Sequence, residues 1–88
     1  AWSELAGVQY LLELYPQALD SLNRAKALGP ERIGHLYLRS IILDGLRQYE
    51  PALKEYQRFL SMAGGKFPDE EFKARQRIRI IQKILSKR

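Results

Sequence analysis

Residues 12–30 read LELYPQALDSLNRAKALGP and residues 46–64 read LRQYEPALKEYQRFLSMAG. Placed one above the other, at an offset of 34, they align without a gap. Leu12 meets Leu46, Tyr15 meets Tyr49, Ala18 meets Ala52, Leu19 meets Leu53 and Arg24 meets Arg58. Leu28 meets Met62, a similar residue, and Pro30 meets Gly64, another breaker. The same offset extends a ladder of small residues, Ala6 to Ser40 to Ala74, as close helix packing requires. Within the first stretch Ala18, Leu19, Leu22, Ala25 and Leu28 follow one another at helical spacing and form a single apolar stripe. A helix–turn–helix unit repeated every 34 residues is a known repeat period.

Working outward, Pro16, Gly29-Pro30, Pro51 and Gly64-Gly65 with Pro68 divide the chain into five segments. The pattern predicts helices over about 2–14, 16–28, 34–46, 51–62 and from 68 to near the end. Pro16, Pro51 and Pro68 suit a first helical turn, where a missing N–H costs nothing. Leu occurs 14 times and Thr never, and β-branched residues are few, so helix is favoured over sheet. On the last segment Ala74, Ile78, Ile81 and Leu85 share one side, widened by Ile80 and Ile84. Arg75, Arg79, Lys83 and Lys87 share the other. The expected fold class is all-α.

The first unit carries Trp2, Leu5, Ala6, Tyr15, Ala18, Leu22, Ala25 and Pro30. The second carries Leu36, Ser40, Leu43, Tyr49, Ala52, Tyr56 and Phe59. In these positions the chain resembles the tetratricopeptide repeat family, over residues 1 to about 65. The resemblance implies a right-handed superhelical stack of two antiparallel helix pairs with a terminal amphipathic capping helix. It divides one domain, 1–88, into a repeat at about 1–32, a second at about 33–66 and a cap at about 68–88. Three positions depart from the pattern. Arg39 stands where Leu is usual, Phe59 where Ala is usual and Gln9 where Tyr is usual. Arg39 is expected to run its stem over the core with its charge in water, and Phe59 to fill space against the last helix.

The function the resemblance implies is protein–protein interaction. In this family the first helix of each pair lines a concave groove that holds a peptide. Matching positions on the three such helices gives the ladders Ser3–Tyr37–Glu71, Gly7–Ile41–Arg75, Tyr10–Asp44–Ile78 and Leu11–Gly45–Arg79. The candidate groove residues are Tyr10, Tyr37, Ile41, Asp44, Arg75 and Arg79, suited to a mixed apolar and charged peptide. The alternative is that Tyr37 and Ile41 simply pack between neighbours. Members that bind chaperone tails hold a carboxylate with Lys and Asn on these ladders. Ser3 and Gly7 occupy the corresponding places of the first unit here, so that activity is not expected. A second reading makes the chain a structural end-cap or a homo-oligomerisation segment.

Charge and composition bound the other functions. The 88 residues carry a net charge of +5. Residues 66–88 hold eight basic and three acidic side chains, which accounts for all of it. Asp69, Glu70 and Glu71 at the helix start and Lys83, Lys87 and Arg88 at its end complement the helix dipole. Asp69 with Lys73 and Glu71 with Arg75 are favourable i,i+4 pairs. These charges need no ligand, and nucleic acid or an anionic surface is the less favoured partner. There is no Cys, and His35 is the lone His. No catalytic, cofactor-binding or metal-binding residues are expected, and no cofactor: none of the five Ser lies in a G-x-S-x-G setting, and one His and no Cys leave little from which to assemble nucleophile, base and orienting group. Gly64-Gly65-Lys66 lacks the rest of a phosphate-loop pattern and reads as a helix stop. No apolar run reaches the roughly 20 residues that span a bilayer. The opening Ala1-Trp2, with neither Met nor a charged leader, suits the C-terminal piece of a longer protein; the compartment stays open, with the cytoplasm slightly favoured. Trp2 on a helix without an upstream neighbour makes self-association an expected consequence.

Overall fold

The computed structural model describes residues 2–29 and 32–87, with side chains from Leu5 onward. Five α-helices follow in order: α1 Trp2–Leu11, α2 Tyr15–Leu28, α3 Ile33–Gly45, α4 Tyr49–Ala63 and α5 Pro68–Ser86. There is no strand among the described residues. The all-α class is therefore shown. Expectations that rest on the side chains of Trp2 and Ser3, or on Pro30 as terminator of the first unit, lie outside the described residues.

The 34-residue offset reappears in the backbone. α1 ends as Glu13 enters the left-handed region at φ 61°, and α3 ends as Arg47 does the same at φ 61°. The Leu14 N–H donates to the Gln9 carbonyl at 2.8 Å and the Glu13 N–H to that of Tyr10 at 2.9 Å. Thirty-four residues on, the Gln48 N–H donates to Leu43 at 2.9 Å and the Arg47 N–H to Asp44 at 3.0 Å. Both are six-to-one and five-to-two bonds of a Schellman C-cap, built here without glycine. Each cap turns the chain within three residues, so α1 packs on α2 and α3 on α4 as helical hairpins. α2 also packs on α3, α4 on α5, and α1 touches α3.

The predicted ladder of small residues is buried in the helix packing. Ala6, Ser40 and Ala74 are all fully buried, and so are Ala18 and Ala52. The Ser40 hydroxyl donates to the Leu36 carbonyl one turn back at 2.7 Å, which satisfies it without a tertiary partner. One apolar cluster joins α3, α4 and α5 through Leu36, Leu43, Tyr56, Phe59 and Ile81. A smaller one joins α1, α2 and α3 through Ala6, Ala18, Leu22 and Ile42, and Leu19 packs against both.

The departures from the repeat pattern resolve individually. Phe59 is buried between Tyr37, at a ring-centroid distance of 5.1 Å, and Phe67, at 6.2 Å. It fills the space before α5, as expected. Gln9 accepts a 2.7 Å hydrogen bond from the buried Ser21 hydroxyl, which ties α1 to α2. Arg39 corrects its expectation. Its head is buried with its stem, and its Nη1 lies 3.8 Å from the Glu55 carboxylate. A carboxylate on the facing helix lets a guanidinium stay out of water.

α5 also departs from its predicted charge pattern. Glu71 is buried and accepts hydrogen bonds from the backbone N–H groups of Phe67 at 2.8 Å and Gly65 at 3.1 Å. It is spent on the loop and the N-cap residue, in the manner of a capping box. The expected pairs Glu71–Arg75 and Asp69–Lys73 do not form. Gly64 and Gly65, at φ 57° and 86°, end α4 as a helix stop should.

Candidate functional site

α1, α3 and α5 edge a common cleft of about 480 Å³. Tyr10 comes from α1, Tyr15 from the start of α2 and Tyr56 from α4. Tyr37, Ile41, Asp44 and Gly45 come from α3, and Lys73, Gln76 and Arg77 from α5. Four of the six residues expected in a groove, Tyr10, Tyr37, Ile41 and Asp44, therefore meet. Arg75 and Arg79 do not line the cleft and are exposed. The reason is the rotation of α5. Its Ala74 and Ile81 are sealed in the core, with Ile78 and Leu85 beside them. Lys73 and Arg77 flank that stripe on the cleft side, and Arg75 and Arg79 flank it on the other.

Asp44 is the centre of the site. Its Oδ2 accepts from Arg77 Nε and its Oδ1 from Arg77 Nη2, both at 2.6 Å, a bidentate clasp between α3 and α5. Asp44 also accepts from the buried Tyr56 hydroxyl of α4 at 3.0 Å. Three helices are thus tied at one carboxylate. The hydrogen bond to Asp44 holds the Arg77 guanidinium in its charged form more firmly still. The rings of Tyr10 and Tyr15 lie 5.8 Å apart, tilted by 47°. A Cβ on Gly45 would come within 3.0 Å of the Tyr15 ring, so glycine lets that ring close the cleft floor.

Burial raises the pKa of three phenols, Tyr10, Tyr37 and Tyr56, above the ordinary tyrosine value. For Tyr10 the Tyr15 phenol and Asp44 add to burial, and for Tyr37 Glu70 and Tyr10 do. The shift is largest for Tyr56, where burial is reinforced by the Asp44 charge and hydrogen bond. A proton that Tyr56 keeps when folded and gives up near pH 10 when unfolded makes folding pH-dependent. Below that pH its contribution is complete. As pH rises beyond it, stability falls by about 1.4 kcal/mol per unit for this group. Urea melts should show a slope with pH that is shallower by that amount in Tyr56→Phe above about pH 10.5, and the same slope in both proteins below about pH 9.

Tyr15, Tyr56, Lys73, Gln76 and Arg77 are the site residues that the ladders miss, and Gly45 stands on a ladder without being a candidate groove residue. Asp44 and Arg77 are 33 apart, one short of the period, so alignment at 34 sets Asp44 against Ile78. No group of His, Cys, Asp and Glu among the described residues could hold a metal ion. No helix among the described residues is long and apolar enough to cross a membrane. No family model, no curated protein and no solved structure matches the chain.

Proposed function

We propose that the chain is a tetratricopeptide-type repeat segment that acts as a protein–protein interaction module, holding a partner peptide in the cleft between α1, α3 and α5. The observation that carries this reading is the cleft wall itself. Asp44 and Arg77 neutralise each other there, and Tyr10, Tyr37 and Ile41 offer amphipathic and apolar surface. A wall already fixed by hydrogen bonds lowers the ordering cost of binding. With Arg77 spent on Asp44, Lys73 is the cation left to the ligand among the described residues that line the cleft. The cleft thus suits an aromatic or aliphatic side chain next to a carboxylate. Selection from a displayed random-peptide library should enrich that pairing, and Lys73→Glu should weaken the selected peptides about tenfold. Arg75→Gln with Arg79→Gln should leave them unchanged. A library without enrichment, or peptides indifferent to Lys73→Glu, would overturn the reading.

One observation favours a second role, packing against another helical unit. Val8 is 54% exposed, whereas Ile42, its counterpart one repeat on, is fully covered by α1 and α2. Leu5 is 42% exposed, whereas its counterpart Arg39 is buried. With Leu11, and with Leu12 just beyond its end, they leave an apolar face along α1 that invites association. The 88-residue chain is therefore expected to self-associate, and light scattering that returns a 10.2 kDa monomer at all concentrations excludes that role.

A further inference from the structure

The helix dipole accounts for cations in the last turn of α5, where Lys83 lies, but not for Arg75 and Arg79 in its middle. With Glu71 turned inward to the loop, no carboxylate among the described residues pairs with Arg75, Arg79 or Lys83. From Phe72 to Arg88 the sequence contains no acidic residue at all. Arg75, Arg79 and Lys83 follow at i+4, about 6 Å apart along the axis. Phe72 stands in the same exposed stripe, one turn before Arg75 and Gln76, with 56% of its surface open. An exposed ring at the head of a row of unpaired cations is wasteful for a solvated cap.

We propose that this outer face of α5 binds single-stranded nucleic acid: Arg75, Arg79 and Lys83 take successive phosphates and Phe72 stacks on a base. Cations at this spacing follow an extended sugar–phosphate chain, and a ring among them supplies the sequence-tolerant stacking platform of single-strand binders. The alternatives fit less well. An amphipathic helix enters a bilayer surface through its apolar face, and that of α5 is buried on α4. A protein interface has an apolar core, and this stripe offers a single aromatic ring among Arg, Lys and Gln. The site is separate from the cleft and does not depend on the reading given for it.

The test is fluorescence anisotropy of a fluorescein-labelled 15-nucleotide oligouridylate titrated with the whole chain at 50–300 mM KCl. Saturable binding is expected, with log K against log salt falling at about −2 for three phosphates. Arg75→Gln/Arg79→Gln/Lys83→Gln should flatten that slope towards zero and weaken binding at 50 mM at least tenfold. Phe72→Ala should weaken it about tenfold and leave the slope unchanged, because stacking releases no counterions. Circular dichroism should show both variants as helical as the parent. The proposal is overturned by absence of binding at 50 mM, by an unchanged slope in the triple variant, or by indifference to Phe72→Ala. It is equally overturned if polyglutamate displaces the oligonucleotide at equal charge, or if vesicles with 30% phosphatidylserine bind the chain and the oligonucleotide does not.

Discussion

Phe59→Ala should cost about 3–5 kcal/mol, as truncation of a buried Phe does. That is a large share of the roughly 4–13 kcal/mol expected for a chain of this length. The site is poorly able to collapse. Phe59 is enclosed by Tyr37 of α3 and Phe67 at the head of α5, and Ala63 and Ala74 of the same cluster are too small to refill the space. The apparent melting temperature should fall by about 4–8 °C for each kcal/mol lost. Phe72→Ala, at an exposed ring, should stay within about 0.5 kcal/mol of the parent. Thermal melts followed at 222 nm compare the two directly. A loss below 1 kcal/mol for Phe59→Ala would mean that the α3–α5 cluster is not what holds the cap. Because helical units contact only their neighbours, the damage should also be local. Amide exchange should speed up in α5 and α4 first, with α1 and α2 less affected.

The five helices were legible because their breakers are strong and their apolar stripes simple. Pro16, Pro51 and Pro68 each lie in a first turn, and Gly64 closes α4. What escaped is what those signals do not encode. α1 stops at Leu11, because Glu13 caps it in the left-handed region, a conformation that a glycine would have announced and a glutamate does not. The groove was half legible. Tyr10, Tyr37, Ile41 and Asp44 keep their repeat positions because α1 and α3 share one cap geometry. α5 follows a different loop, with Glu71 folded back on Gly65 and Phe67, so its rotation cannot be inherited from the repeat. That is why Arg77 takes the place given to Arg75 and Arg79. Arg39 shows the same limit: a charge on an apolar stripe reads as exposed until the facing Glu55 is known.

Removal of Asp44 should be the second costly change, by a different route. Asp44→Ala deprives the buried Tyr56 hydroxyl of its acceptor, a loss of about 1–3 kcal/mol. It also releases Arg77, whose side chain is 37% exposed and can turn to water, so the ion pair itself should contribute only about 1 kcal/mol. The two parts are separable. Tyr56→Phe in the Asp44→Ala background should recover much of the first part, since no hydroxyl is then left unsatisfied. A double-mutant cycle of Asp44→Ala with Arg77→Gln should give a coupling of about 1 kcal/mol that shrinks in high salt. Urea melts at two ionic strengths measure both. Zero coupling would show that the bidentate clasp orders the cleft wall without holding α5 in place. A coupling of the expected size makes Asp44 the group through which a ligand that competes for Lys73 and Arg77 would loosen the cap, because one carboxylate then serves both the cleft and the packing of α5.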